Sequence, residues 1–447
     1  MSTLEQAVAG YLEMGPQGIS RFAESIDPAW IDEALEATGS GSMRQRKLPA
    51  EQAVWLVLGI CLFYDRSIRD VVDHLGLVLP GVTSLAPSSI SKARYRLGEQ
   101  PIEWLFRRVA SAWSDSPGLG GFKGLRLFAV DGTTVRVPDS DDNYEAFGKP
   151  TGRNGADEAA YPQARLVALL DLSTRLVVNA TFGAYYASEL TLADQLWGSV
   201  TDGSLTLLDR GFLDYEAWYR VTTGGPDRHL LVRMRTMQKF TPEKELEDGS
   251  VLGHLTTPFP CKQKHPHVPD RLAVRVVEYK HPGGEPGRLF TTLLDPSFAS
   301  AAELVRLYHE RWEIELAFDE LKTHMLERRE SLRSLLAMGV RQELWAMLLL
   351  YNLVRREMLL AAEAFGVPPR RISFRSSLLW TRNFWLGAAR SPPGAIPKSL
   401  AAFRSTLDVL LLPERRPERR YPRHVKIKMT RFLRNRGNRP TKAIEGS

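Results

Sequence analysis

At 447 residues, with 43% hydrophobic and 25% charged residues, the chain has the composition of an ordinary soluble globular protein, long enough for roughly two to four structural units. No apolar run approaches the ~18 residues of a membrane span, and the opening MSTLEQAVAGYLEMG carries acids without the basic segment of a secretory signal, so a cytoplasmic protein is expected. The net charge is +7, but residues 413–447 alone hold twelve Lys/Arg against three Glu, a net of +9, which leaves the rest of the chain near −2. So concentrated a basic stretch, with Tyr421 and Phe432 among its arginines, suits a polyanion bound through phosphate contacts and counterion release. Solubility alone is the competing explanation.

Residues 1–118 read as an all-helical domain. Leu48–Phe63 forms an apolar helix with Pro49 near its start, and Ser67–Leu75 forms a second. Pro87 and Ser88 then open SSISKARYRLG, which Gly98 closes. A helix, a turn and a short helix bearing Ser91, Lys92, Arg94 and Arg96 suit entry into a major groove, and a plain bundle with a basic face is the alternative.

From Leu125 the pattern changes to strands. LRLFAVD ends at Asp131 and DGTT follows as a turn, after which ARLVALLDL and RLVVNATFG form a hairpin joined near Ser173–Thr174. The loop from Asp139 to Tyr161 is long enough to be functional. A helix from Ser188 to Val200 precedes SLTLLD, a fourth strand ending at Asp209; a helix over Asp214–Arg220 and a fifth strand, HLLVRMR, complete the series. This is the element order of a ribonuclease-H-like mixed α/β sheet, although many mixed sheets share it. Arg233 and Arg235, leaving the fifth strand, either grip DNA or are edge-strand charges.

Residues 236–294 read as a β-rich insertion, with strands such as LAVRVVEYK and RLFTTLL, dividing a catalytic core of 119–235 and 295–365. Its Cys261, His265 and His267, with His254 upstream, could hold zinc, but irregular spacing and intervening prolines make a polar loop the expected outcome. Cys61 and Cys261 form no CxxC pair, so no disulfide framework is expected. Met338–Phe365 continues as apolar helix, and 366–447 is a loop-rich C-terminal region ending in the basic tail.

The segment LVRLYHERWEIELAFDELKTH reads as one helix. At 100° per residue, Tyr308, Arg311, Glu315 and Lys322 fall at about 0°, −60°, −20° and −40°, a single stripe, with Leu307, Ile314, Phe318 and Leu321 roughly 70–90° away facing a core. A carboxylate flanked by two cations and a phenol suits metal-dependent phosphodiester chemistry; a solvated face with an Arg311/Glu315 pair is the alternative. Asp131 and Asp209 each end a buried-looking strand, where an acid is exposed to ligands, although each alone could simply be a turn-forming Asp. With Glu315 they make a three-acid set able to hold two Mg²⁺, or Mn²⁺, about 4 Å apart.

Tyr-x2-Arg-x3-Glu-x6-Lys, carried here by Tyr308, Arg311, Glu315 and Lys322, resembles the signature of the insertion-sequence-four family of DDE transposases. Asp131–Gly132–Thr133 and Asp209–Arg210–Gly211–Phe212 resemble that family's first and second acid blocks. RQRKLPAEQAVWLVLGICLFYDRSIRDVV and PSSISKARYRLG are similar to its N-terminal domain, and the resemblance runs from about residue 20 to 430. It implies Asp131, Asp209 and Glu315 as catalytic metal ligands, and Tyr308, Arg311 and Lys322 as phosphate contacts near the element's end. Lys92, Arg94, Arg96 and Arg233 are further candidate DNA contacts. The implied partner is double-stranded DNA, both terminal inverted repeats and target, bound by a homodimer without any membrane. The implied reaction is strand cleavage by water, attack of the freed 3′-hydroxyl on target DNA, and cut-and-paste movement through hairpin ends. A ribonuclease-H-fold nuclease without strand transfer and a non-catalytic DNA-binding descendant are the alternatives. The intact acids argue against the descendant, and the N-terminal domain and the 106-residue step from Asp209 to Glu315 against the nuclease. One departure stands out: well-studied relatives stabilise a flipped base with an insertion tryptophan, and no Trp lies between Trp218 and Trp312, leaving Tyr279 or Phe290 as substitutes.

Overall fold

The computed structural model describes residues 26–41, 48–77, 86–114, 121–151, 159–234, 238–280, 286–327, 331–388 and 410–412. The chain divides into two units, Met1–Leu411 and Leu412–Ser447, and the elements below belong to the first. The basic tail, Arg235 and part of the Asp139–Tyr161 loop lie outside the described residues.

The chain opens with α1 (Pro28–Ala37), α2 (Ala50–Leu62), α3 (Ile68–Leu75), α4 (Pro87–Leu97) and α5 (Gln100–Ser114). The core follows as β1 (Arg126–Arg136), α6 (Asp141–Phe147), β2 (Gln163–Asp171), β3 (Val177–Ala184), α7 (Glu189–Ala193), β4 (Ser204–Leu208), α8 (Tyr215–Thr223) and β5 (Arg228–Arg233). The insertion contributes β6 (Thr241–Glu245), β7 (Val251–Thr256), α9 (Phe259–Lys264), β8 (Arg271–Lys280) and β9 (Pro286–Thr291). Then come α10 (Ala301–Tyr308), α11 (Trp312–Asp319), α12 (Ala337–Phe365) and α13 (Phe374–Ala388).

One nine-stranded sheet runs β3-β2-β1-β4-β5-β9-β8-β7-β6. The β1–β4 and β4–β5 pairs are parallel and the remaining pairs antiparallel. Its first five strands are the expected ribonuclease-H-like meander followed by two parallel strands. The insertion is no separate sheet, because β9 pairs with β5 through Val232↔Phe290 and carries the sheet onward.

Strand alternation assigns the two faces. In β1, Leu127 and Ala129 join one apolar cluster, while Phe128 and Val130 join another. In β4, Leu205 and Leu207 take the first face and Leu208 the second. The first cluster also contains the buried sides of α2, α5, α10, α11 and α12, so the N-terminal helices and the signature helices share one core. Helix α2 is buried along almost its whole length, as an apolar helix enclosed by others should be. A Ser67/Asp70 capping box starts α3, and Gly76 ends it at φ 60° in the left-handed region.

Five expectations need correction, the first being that the Asp139–Tyr161 loop holds the helix α6, capped by Ser140. β1 does not stop at Asp131: β2 keeps pairing with it as far as Arg136↔Gln163, so DGTT is strand, helped by β-branched Thr133, Thr134 and Val135. The helix over 188–200 shrinks to α7 and a 3₁₀ turn at Trp197–Ser199. The single helix near 310 is α10, a 3₁₀ turn (His309–Arg311), α11 and a π-helical turn (Glu320–Met325). The region after 366 contains α13, fifteen residues long.

The insertion is fastened to the start of α10. Asp248, in the β6–β7 turn, accepts from the backbone N–H of Ala301 at 2.7 Å and pairs with Arg275. Fully buried Arg275 also donates to the Ala299 carbonyl at 2.7 Å. The helix start is therefore held by insertion side chains as well as by its own Ser300/Glu303 capping box. Among the described residues, no helix is long and apolar enough to cross a membrane.

Candidate active site

Asp131 and Asp209 meet where the parallel β1–β4 pairing ends. The register closes at Val130↔Leu208, so the two acids are the next residues on adjacent strands. By alternation both follow Ala129 and Leu207 onto the face where α10 and α11 pack. Asp209 opens the 3₁₀ turn Arg210–Phe212, whose Phe212 is buried in the opposite cluster and anchors the turn.

Glu315 arrives from α11, and Arg311 joins it to the sheet. The guanidinium lies 3.3 Å from Asp131 Oδ2 and 2.9 Å from Glu315 Oε1, bridging strand and helix. Burial opposes the charge on Arg311, but Tyr308, Glu315, Asp131 and Asp209 outweigh it and raise its pKa. The Asp131 carboxyl is pushed up to about 6, chiefly by burial and further by the charges of Glu315 and Asp209, while the Gly132 N–H and Arg311 pull the other way. Asp131 thus feels the charges of both other acids, and Arg311 bridges it to Glu315. Such an all-oxygen, net-negative donor set fits a hard divalent cation.

The remaining signature residues also turn toward this edge. Tyr308 is buried, and its hydroxyl donates to the Leu208 carbonyl at 3.2 Å, immediately before Asp209. Lys322 donates to the Thr133 hydroxyl from the π-helical turn, and burial lowers its pKa. Each member of the Asp-Gly-Thr block therefore has a distinct surrounding. Asp131 faces Arg311, Thr133 receives Lys322, and a Cβ on Gly132 would stand 2.6 Å from the Glu189 carboxyl, itself held by Arg165. Thr133 lay within a motif visible in the sequence; Glu189 and Arg165 carried no signal, since only folding brings them to Gly132.

Other candidates are dispersed. Arg94 is not a surface contact: it is buried, donating to Gln342 Oε1 at 3.0 Å, Ser334 Oγ at 2.7 Å, the Gly339 carbonyl at 2.9 Å and Glu343 Oε1 at 2.9 Å. Those bonds pin α4 to α12 and leave the guanidinium no reach to DNA. Lys92 and Arg96 remain exposed on the same helix. Arg233, half-buried at the end of β5, acts electrostatically on Tyr279 and Tyr308. Phe290 is fully buried and cannot meet a flipped base, whereas half-buried Tyr279 lies in the field of Arg233, Asp209 and Arg311. His254 is engaged with Glu243 at 2.7 Å.

Residues 16–107 match the family model of the insertion element 4 transposase N-terminal region, and residues 122–353 match that of the transposase DDE domain. The chain is 32% identical over 410 residues to transposase InsG for insertion sequence element IS4 of Escherichia coli (strain K12), covering 91% of this chain and 92% of that protein. It is 33% identical over 282 residues to the InsZ protein of the same organism, covering 60% of this chain and 92% of that protein. A cryo-EM structure of a piggyBac transposase synaptic complex with hairpin DNA gives a TM-score of 0.45 at 10% identity over 90% of this chain and 86% of that one, too loose to bear on the chemistry.

Proposed function

The chain belongs to the insertion element 4 family of DDE transposases, and we propose that it performs Mg²⁺-dependent cleavage at its element's ends and joins the freed 3′ ends to target DNA. Asp131, Asp209 and Glu315 are the proposed catalytic acids. The observation that carries this is the ion-paired bridge by which Arg311 joins Asp131 of β1 to Glu315 of α11, with Asp209 at the end of β4 near enough to act on the Asp131 charge.

Asp131, Asp209 and Glu315 would hold the cation, with two ions suited to the three-acid set and Mn²⁺ as the alternative metal. When bound, it supplies Lewis-acid stabilisation of phosphoryl oxygens and lowers the pKa of an attacking water. The chain's own residues supply geometry. Arg311 fixes Asp131 against Glu315, and Tyr308 holds the last carbonyl of β4 so that Asp209 leaves the sheet in one direction. Lys322, tied to Thr133, presents a cation beside Asp131 for a DNA phosphate. In cleavage, water oxygen bonds to phosphorus as the 3′ oxygen departs in line; in joining, the freed 3′-hydroxyl oxygen bonds to a target phosphorus, losing its proton, as the target strand's own 3′ oxygen departs in line and takes up a proton. Second-strand cleavage through a hairpin would use Tyr279 in place of the missing tryptophan. Synapsis of two ends would use a homodimer, with Lys92, Arg96 and Arg233 as further DNA contacts. The domain division at about 118, 235, 294 and 365 belongs to the same proposal.

The test uses terminal repeats taken from the DNA flanking the gene. Glu315→Ala and Asp131→Ala should each abolish Mg²⁺-dependent end cleavage while end binding persists. Retained cleavage in either variant removes that residue from the site. A wild-type chain that cuts ends but yields no joined product would instead be the nuclease.

A further inference from the structure

Folding assembles a group of ligating side chains away from the acid triad. Glu216, in the first turn of α8, and His265 and His267, between α9 and β8, bring one ligand atom each within 4.8 Å of the others. The two histidines belong to the insertion and the glutamate to the core, so the group spans the joint between them. The surrounding structure holds these residues in place. His265 caps α9, its N–H donating to the Cys261 carbonyl at 2.7 Å, and the Val268 N–H donates back to the His265 carbonyl at 3.1 Å. Val268 is fully buried and anchors the far side of the loop. The two imidazole rings stand 5.9 Å apart and nearly perpendicular, and Tyr219, one helical turn after Glu216, packs 6.0 Å from His267.

Two imidazoles and one carboxylate form the donor set of a borderline divalent cation such as Zn²⁺, not of Mg²⁺, which prefers oxygen alone. Zinc takes such ligands at about 2.0–2.2 Å, so a tetrahedral set needs the ligand atoms roughly 3.4 Å apart, within reach of small rotations of the exposed His267. The standing contact on Glu216 is weak: Arg220 Nε lies 3.6 Å from it, while Arg220 also pairs with Asp194. The sequence offered only an irregular Cys/His run here, because Glu216 lies 49 positions before His265 and 51 before His267.

We propose that Glu216, His265 and His267 bind one zinc-class cation that clamps the β-insertion to the core helix α8. Three protein ligands leave a fourth position to water. Helix α8 begins six residues after Asp209, so the clamp would steady the insertion against the segment that carries the second acid.

The experiment titrates Zn²⁺ into chelator-stripped full-length chain against a chromophoric chelator, in a Glu315→Gln background so that binding by the acid triad is impaired. One equivalent should bind and raise the thermal midpoint. Adding His265→Ala and His267→Ala should abolish both effects, and Glu216→Gln should weaken them. Co²⁺ should show intense tetrahedral visible bands in the same chains that bind Zn²⁺. The metal-free double-histidine variant should match its parent in circular dichroism and midpoint, which separates lost ligands from lost fold. Zn²⁺ affinity unchanged by the double-histidine substitution, or no Zn²⁺ bound at all, overturns the site.

Discussion

The hydroxyl of Tyr308 is engaged with the protein itself, at the Leu208 carbonyl. Helical spacing set it on one stripe with Arg311, Glu315 and Lys322, but spacing cannot tell how deep a side chain lies. Burial pushes the Tyr308 pKa up, so the phenol stays neutral and serves as a donor. Tyr308→Phe should therefore cost about 1 kcal/mol of stability, the net worth of one hydrogen bond. It should slow cleavage by loosening Asp209 while leaving end affinity unchanged. Urea unfolding and a DNA titration check this pair of outcomes; a fall in affinity at constant stability would return Tyr308 to the phosphate-contact role. Asp209 was legible as a strand-end acid because it follows the apolar run of β4, whereas Asp131 lies within β1 and opens toward the site because its parallel neighbour β4 ends at Leu208. That β1 continues past Asp131 was not legible, because it depends on β2, whose partner registry no single strand encodes.

Among the helices, α4 misled for the same physical reason. Its basic residues suggested a DNA-reading face, yet Arg94 and the exposed Lys92 point to opposite surroundings once α12 is in place. Glu343 lies fully buried opposite Arg94, accepts from Ser334 Oγ, and takes the Arg333 backbone N–H at 3.0 Å. Glu343→Ala leaves a buried guanidinium uncompensated and should destabilise the chain by about 3–5 kcal/mol. Adding Arg94→Ala should recover part of that loss, and a double-mutant cycle in denaturant measures the coupling. A second helix-level prediction concerns pH. The Glu303 carboxyl is lowered from 4.5 to about 2 by the Ser300 backbone N–H and by Lys123, which lies 3.0 Å away. A depressed acid stabilises the fold above its unfolded pKa, and that contribution is lost as pH falls from about 4.5 toward 2. Glu303→Gln should thus be less stable than wild type near neutrality, with the gap closing through that window. A gap independent of pH would mean that the carboxylate charge does not support the α10 cap. The breaks between α10, α11 and the π-helical turn escaped the sequence because each keeps the side chains near helical spacing while shifting the backbone.

For the whole molecule, the fold concentrates acids where the chemistry is proposed and leaves DNA attraction to cations elsewhere. Residues 1–412 carry a net charge near −2, and the +9 of residues 413–447 outweighs it. The sheet architecture was legible from alternating strands and their order, whereas the continuity of insertion and core was not, since it rests on the long-range pairing of β9 with β5. The tail's expected phosphate contact, by contrast, is read from charge alone, with solubility as the competing explanation. Each phosphate it neutralises releases counterions, making log affinity fall with log salt by about 0.9 per contact. A chain ending at Pro413 should bind terminal-repeat DNA more weakly at low salt and with a shallower salt slope, while keeping α1 through α13 and the acid triad. The two affinities should then converge as salt rises, because screening removes from the full chain what truncation has already removed. Fluorescence anisotropy across a salt series reads both quantities. A weaker affinity with an unchanged slope would mean that the tail acts through packing or dimer contacts and not through phosphate neutralisation.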